Sequence, residues 1–313
     1  MPLIDLYSGS SGLNTVLDPQ RLNQGSMDAP GIIEFAQAVN VSIDDRGLVT
    51  LRQGDSLASA SEFHSLFCDG GDCFVIQERT SDAVLMQVAS DFSLIEVRSG
   101  LTKGRRMAWG QAAQDTFYSN GVQNGYIRAG TSYTWPIQIY QGPESDMQFA
   151  TAVPSASHIA FLPGGKVLLA VGSAVFANHA PFQYGLFHPA RGNVANCASD
   201  IVMLAGVQGG FYASDQHRTL FFRATEDWYQ YRQELVEDAP ALEGSLAYGK
   251  VNLSEINVEY PGYGRVWAST RGICIGTDGG QCVNLTEDKI VYPEGYTTGA
   301  CLIRDHTVIH TAI

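Results

Sequence analysis

FHSLFCDGGDCFVIQERTSDAVLMQVASDFSLIEVRSGLT, residues 63–102, places apolar runs of strand length between three turn-rich breaks, CDGGD, RTSD and ASDFS. Short runs rich in Val, Ile and Phe, punctuated by Gly, Asp and Ser, are the pattern of strands joined by tight turns. The segment reads as one antiparallel meander of four strands.

The unit recurs. Residues 105–138 hold MAWGQAA, DTFYSNG, NGYIRAG and SYTWPIQ, with Gly or Asn at each reversal. Residues 158–192 hold HIAFLPG, KVLLAVGSAVFA, a break at Asn178-His179-Ala180-Pro181, and QYGLFHP. Residues 200–237 hold IVMLAGV, GGFYASD, RTLFFRAT and WYQYRQELV, alternating with period two. Residues 246–291 carry an insertion around VNLSEINVEYPG before GRVWASTRG, ICIGTDGG and QCVNLT resume the pattern. Three second strands share a register of bulky apolar, aromatic, Ala or Ser and turn residues: DTFYSN (115–120), GFYASD (210–215) and RVWAST (265–270). Repeats of roughly 35–50 residues with four strands each are the blades of a β-propeller.

The C-terminal segment 300–313, ACLIRDHTVIHTAI, supplies only two strands, split at Arg304-Asp305. An orphan half-blade would expose strand edges that template aggregation. The segment 38–53, AVNVSIDDRGLVTLRQ, is a second hairpin, with Asp45-Arg46-Gly47 as its turn. The expectation is therefore an all-β, six-bladed propeller over residues 38–313, whose last blade joins 300–313 to 38–53. Residues 1–37, rich in Gly, Ser, Asn and Pro, read as an extended N-terminal arm. A short helical stretch over Ile32–Ala38 closes it.

Composition narrows the function. Of 313 residues, 45% are hydrophobic and 16% charged, below the roughly 25% of an average domain, which excludes a disordered chain. Nineteen Lys and Arg against 32 Asp and Glu leave a net charge of −13, the wrong sign for tracking a phosphate backbone, so no nucleic-acid partner is expected. No apolar run approaches the roughly 18–20 residues of a membrane helix, so no membrane insertion is expected. The first residues lack the basic and apolar regions of an export signal. The six cysteines (68, 73, 197, 274, 282 and 301) read as reduced thiols of a cytoplasmically made protein.

Chemistry-bearing motifs are sparse. There is no Gly-x-Gly-x-x-Gly after a strand, no Walker loop, no Gly-x-Ser-x-Gly and no Cys-x-x-Cys. Cys68 and Cys73 could meet across a hairpin as a disulfide or as half a metal site with His64, but an ordinary turn is the favoured reading. His306 and His310 share a strand face roughly 13 Å apart, too far for one ion. The repeated Asp turn of sialidase-type propellers and the WD40 dipeptides are absent. Hence no catalytic, cofactor-binding or metal residues and no cofactor are assigned. Asp115, Asp215, Asp278 and Arg265 sit at comparable turns and are the residues that would carry a site if their blades converged.

GLNTVLDPQRL (12–22) and the 38–53 hairpin, together with GICIGTDGGQCVNLTED (272–288) and GACLIRDHTVI (299–309), resemble tailed-bacteriophage virion structural proteins of the β-propeller type. Those proteins open with an Asn-rich arm and such a strand pair, then build a propeller that belongs to the tail. The resemblance implies a non-enzymatic component of the tail tip, hub or fibre attachment. It would be made in the bacterial cytoplasm, incorporated in several copies into the virion, and partnered by other tail proteins. The alternative is a glycan-binding or glycan-cleaving propeller engaging the host surface through the aromatic loops 131–137 and 227–232.

Overall fold

In the computed structural model of the protein, the described residues are 10–13, 15–16, 33–35, 37, 41–43, 49–51, 60–69, 71–136, 151–189, 194–225, 227, 230–256, 259–260, 262–287, 290–291, 295–304 and 308–312. They are all-β, with no α-helix among them. In the arm, β1 (Ser10–Leu13) and β2 (Ile33–Phe35) pair in parallel. Within the span expected to be helical, Ile32–Ala38, residues 33–35 form this strand instead. β-branched Ile33 favours extended backbone, and β1 supplies the ladder partner that a lone helical turn would lack. A hairpin of β3 (Val41–Ile43) and β4 (Val49–Leu51) comes after it. Its Asp45-Arg46-Gly47 turn lies outside the described residues.

Five four-stranded antiparallel meanders come next. The first comprises β5 (Phe63–Asp69), β6 (Asp72–Glu78), β7 (Ala83–Val88) and β8 (Leu94–Leu101). The second comprises β9 (Ala108–Ala112), β10 (Asp115–Ser119), β11 (Asn124–Arg128) and β12 (Thr131–Tyr133). The third comprises β13 (His158–Leu162), β14 (Lys166–Val171), β15 (Ala174–Ala177) and β16 (Val194–Asn196). The fourth comprises β17 (Met203–Val207), β18 (Gly210–Ser214), β19 (Thr219–Ala224) and β20 (Tyr231–Glu237). The fifth comprises β21 (Val251–Asn252), β22 (Tyr263–Ser269), β23 (Gly272–Thr277) and β24 (Cys282–Asn284). A C-terminal hairpin of β25 (Ala300–Arg304) and β26 (Val308–Ala312) ends the chain.

Two units differ from their sequence reading. In the third, KVLLAVGSAVFA is two strands turned at Gly172-Ser173, and the fourth strand is Val194–Asn196, beyond the expected limit at 192. Buried Asn178 explains the detour. Its Oδ1 accepts from Val167 N at 2.8 Å, and its Nδ2 donates to the Gly165 and Ala180 carbonyls, so a side chain ends the ladder and releases the chain into a loop. In the fifth, Val251-Asn252 is itself the first strand, paired with Gly264 and Tyr263, and it leads into a hairpin loop containing a 3-10 turn, Leu253–Ile256.

Each sheet packs face to face on the next. Phe67, Phe74, Trp109 and Tyr118 fill the space between the first and second sheets. Phe117, Ile159, Val167 and Leu169 fill the second–third gap, and Leu168, Ala170, Leu204 and Phe211 the third–fourth. Tyr212, Phe221, Trp267 and Cys274 fill the fourth–fifth gap. Val251, Val266 and Ile275 pack against Cys301 and Ile303 of β25. Middle strands are therefore buried on both faces, which is why β14 and β18 read as nearly continuous apolar runs, whereas the outer β8 and β20 are a mixture of exposed and half-buried residues. Gly276 makes one such approach possible, since a Cβ there would lie 2.6 Å from the Tyr212 ring. Radially packed meanders around a shared centre are the β-propeller arrangement.

Hydrogen bonds at the ends of second strands link successive sheets. Glu78 Oε1 accepts from Gly104 N at 2.8 Å, on the approach to the second sheet. Ser119 Oγ donates to Ala156 O at 2.7 Å and accepts from Ala156 N at 3.1 Å, on the approach to the third. Ile201 N donates to Gly172 O at 3.0 Å, and Ala241 N to Ser214 Oγ at 2.8 Å. Beside the two serines, Asn120 and Asp215 each accept two backbone N–H groups of the following turn, so the shared register encodes a strand end, a hook and a turn. Ser119→Ala and Ser214→Ala are each expected to destabilise the protein by about 1–3 kcal/mol, roughly additively, because each orphans a buried backbone group in a separate junction. Urea unfolding checks this, with exposed Ser81→Ala expected to be neutral.

Candidate functional site

Six chain segments, 65–68, 106–108, 157–159, 202–204, 243–249 and 300–303, surround one central cavity of about 740 Å³. Five lie in or just before the inner strands of the five sheets, and the sixth is β25. Apolar Met107, Ile159, Leu204, Leu246 and Ile303 share its wall with Arg106, His158, Glu243 and Tyr248. Gly244 adopts φ +81, and a Cβ there would collide with the Arg106 guanidinium, so the glycine both makes the turn and seats the arginine.

The polar wall groups are held in defined states. Burial drives the His158 imidazole down to about 4, with the Arg106 charge adding to the effect, so the ring is neutral at pH 7 and bonds the Ser157 hydroxyl. Burial pushes the Tyr248 phenol up to about 12. Its backbone carbonyl accepts from Arg265, which also donates to the carbonyls of Gly206 and Gly249. Burial lowers the pKa of this arginine, while the charges of Asp69 and Asp278 act in the opposite direction. Arg265 thus binds the inner segment of the fifth sheet to the fourth.

At the cavity edge β5 carries a bulge between His64 and Phe67, with Ser65 in the left-handed region at φ 55. Ser65 Oγ lies 2.8 Å from His64 Nδ1, and His64 Nε2 lies 3.0 Å from Glu78 Oε1. Met107 N donates to Ser65 Oγ at 2.9 Å, and because the ionised Glu78 carboxylate can only accept, a proton on His64 Nε2 faces it. The order Ser, His, Glu is that of a hydrolase relay. Both ends, however, are occupied by backbone of the second sheet, Met107 N–H on the serine and Gly104 N–H on the glutamate. Trp109 Nε1 also donates to Ser65 O. The array works as a clamp between the first two sheets.

Of the residues singled out from sequence, Asp278 and Arg265 come together, while Asp115 and Asp215 are engaged elsewhere. Asp115 pairs with Arg128 at 2.6 Å, Asp215 caps its own turn, and Asp278 accepts from Gln208 N beside Arg265. Cys68 and Cys73 are directly opposed, with Cα atoms 4.2 Å apart, and are joined as a disulfide where reduced thiols in an ordinary turn were expected; strand register, invisible in the spacing alone, opposes them. Trp135 of the 131–137 loop is buried and donates to Tyr184 O, so it serves the core, not a glycan surface. His306 lies outside the described residues. The clamp was missed from sequence because its partners, 64–65, 78 and 104–107, meet only through cross-strand and inter-sheet register.

No protein-family model matches the sequence, and no curated protein matches it. Among solved structures, an auxiliary nutrient binding protein from Bacteroides thetaiotaomicron aligns at 10% identity and TM-score 0.48, over 77% of this chain and 63% of that one. The chain thus spans less than two thirds of that protein's length. A protein from Lactobacillus plantarum aligns at 10% identity and TM-score 0.47, over 79% and 78% of the two chains. The β-propeller domain of Cps50 (Swd1) from Myceliophteria thermophila aligns at 10% identity and TM-score 0.38, over 77% and 92%.

The clamp carries a pH signature. Burial works to raise the Glu78 pKa, but the Gly104 N–H and His64 outweigh it and the carboxyl titrates below its ordinary value. A depressed carboxylate contributes stability above its unfolded pKa of about 4.3 and loses it as pH falls through the folded value. Glu78→Gln is expected to cost about 1–3 kcal/mol at pH 7, with the difference from wild type shrinking as pH falls from 7 through the lowered folded pKa of Glu78. Urea midpoints measured across that range check it.

Proposed function

We propose that the chain is a six-bladed propeller closed by its two ends and acts as a non-enzymatic structural component of a bacteriophage tail, in virion assembly or host attachment. One observation carries the closure. Six segments line the cavity, five belong to four-stranded sheets, and the sixth belongs to the two-stranded β25–β26, while β3–β4 is a second two-stranded hairpin. Joined, the hairpins make a sixth blade and remove open edges. Burial of Val75, Val84 and Met86 on the far face of the first sheet supports a blade on that side. Among the described residues each hairpin forms its own sheet.

The tail assignment rests on the resemblance of residues 12–22, 38–53, 272–288 and 299–309 to tail proteins. Two exposed aromatics fit a surface made for neighbours. Phe92 and Phe182 are 72% and 66% exposed, and both have positive φ, 63° and 62°. Each lies in the loop from third to fourth strand of its sheet, and in a propeller these loops share one face. Holding a bulky residue there costs roughly 1–2 kcal/mol, which contact with a partner would offset. The arm touches its own fold where Val291 N donates to Thr15 Oγ1 at 2.9 Å.

Mass spectrometry of purified particles of the phage encoding this sequence is expected to find the chain, and antibodies against it to label the tail. Its presence in infected cells but not in particles would overturn the assignment. Deleting residues 300–313 is expected to give insoluble protein or a melting temperature lowered by more than about 10 °C. A soluble truncation with unchanged melting would remove the sixth blade.

A further inference from the structure

Between the fourth and fifth sheets, away from the cavity, the structure gathers two thiols and a carboxylate. One donor atom from each of Glu237, Cys274 and Cys282 lies within 4.8 Å of the other two. Glu237 closes β20, Cys274 lies in β23 and Cys282 opens β24. Neighbouring strands of the fifth sheet set the two cysteines side by side, and the packing of the fourth sheet against it brings in Glu237, 45 residues before Cys282.

We propose that Glu237, Cys274 and Cys282 bind a thiophilic divalent cation, zinc by the chemistry of the donors. Tetrahedral zinc with sulfur at about 2.3 Å and oxygen at about 2.1 Å holds its ligand atoms roughly 3.6–3.8 Å apart, so these donors need to close by at most about 1 Å. Ser269 Oγ, 3.5 Å from Cys274 Sγ, stands beside the trio, and a water fills the fourth position. Arg271 Nη1, 3.9 Å from Glu237 Oε1, offsets the net negative charge of two thiolates and a carboxylate around a doubly charged ion. The scaffold is firm. The Tyr212 hydroxyl contacts the carbonyls of Thr277 and Gln281, which fixes the turn between β23 and β24 and so the spacing of the cysteines.

Register separates this pair from the disulfide. Cys68 pairs directly with Cys73, whereas Cys274 pairs with Asn284 and Cys282 with Gly276, so the second pair is diagonal across its ladder. Diagonal backbones stand farther apart than a disulfide prefers, while an ion between the sulfurs spans the gap.

The test uses the full chain purified under reducing conditions. Zinc is titrated in competition with a chromophoric chelator, and cobalt substitution is read by its thiolate charge-transfer band. One equivalent of zinc and a two-thiolate cobalt spectrum are expected. Cys282→Ser, at a partly exposed position, should abolish the band, and Glu237→Gln should weaken zinc binding by more than about tenfold. Cys274→Ser should match Cys282→Ser if it folds. Cys68→Ser and Cys197→Ser should leave binding unchanged. Substoichiometric binding, a band that survives Cys282→Ser, or a Cys274–Cys282 disulfide in metal-free protein would each overturn the site.

Discussion

Burial of the middle strands on both faces is the constraint on which the rest of the structure depends. Phe117 and Tyr118 are adjacent on one strand, point to opposite sides of the second sheet, and are both buried, one against the third sheet and the other against the first. Tyr212 and Phe211 do the same in the fourth sheet. A sheet of this kind exposes a large apolar face wherever a neighbour is missing. Stacking must therefore continue, and because sheets twist and splay it curves round a centre. The cavity is the space left where six segments meet without filling it.

That constraint also explains which functional groups the centre can hold. Two charged residues outside the cavity wall are bound to backbone: Arg265 to three carbonyls, and Glu78 to an N–H. His158 is kept neutral by its surroundings. Arg265 and Glu78 thus hold segments together, and the sulfur–carboxylate group lies in a gap between two sheets.

Much of this was legible in the sequence because period-two alternation and Gly, Asn and Asp turns are local. The meanders at 63–102 and 200–237 need nothing beyond that. The illegible parts depend on register or on substituted bonds. A single side chain, Asn178, ends a strand and displaces the next by a long loop. The pair Val251-Asn252 is too short to read as a strand, yet it completes an inner edge. The repeated Ser at 119 and 214 was visible as a pattern but its purpose was not, since Ala156 and Ala241, which it grips, lie 37 and 27 residues further on.

Those grips give the ring a direction. In these four bonds the holding group belongs to the earlier sheet and the held backbone to the later one, while Arg265 and Asp278 of the fifth sheet grip backbone of the fourth in return. A chain leaving the ribosome N-terminus first therefore presents each anchor before the segment it secures, and the sheets can dock one by one in order of synthesis. The fifth sheet breaks the series: its Ser269 hydroxyl donates to Gly272 O and accepts from Arg271 N within its own turn. The segment that follows is held by backbone instead, where Gly299 N donates to the Glu243 carbonyl and Glu243 N to the Thr297 carbonyl, each at 3.0 Å.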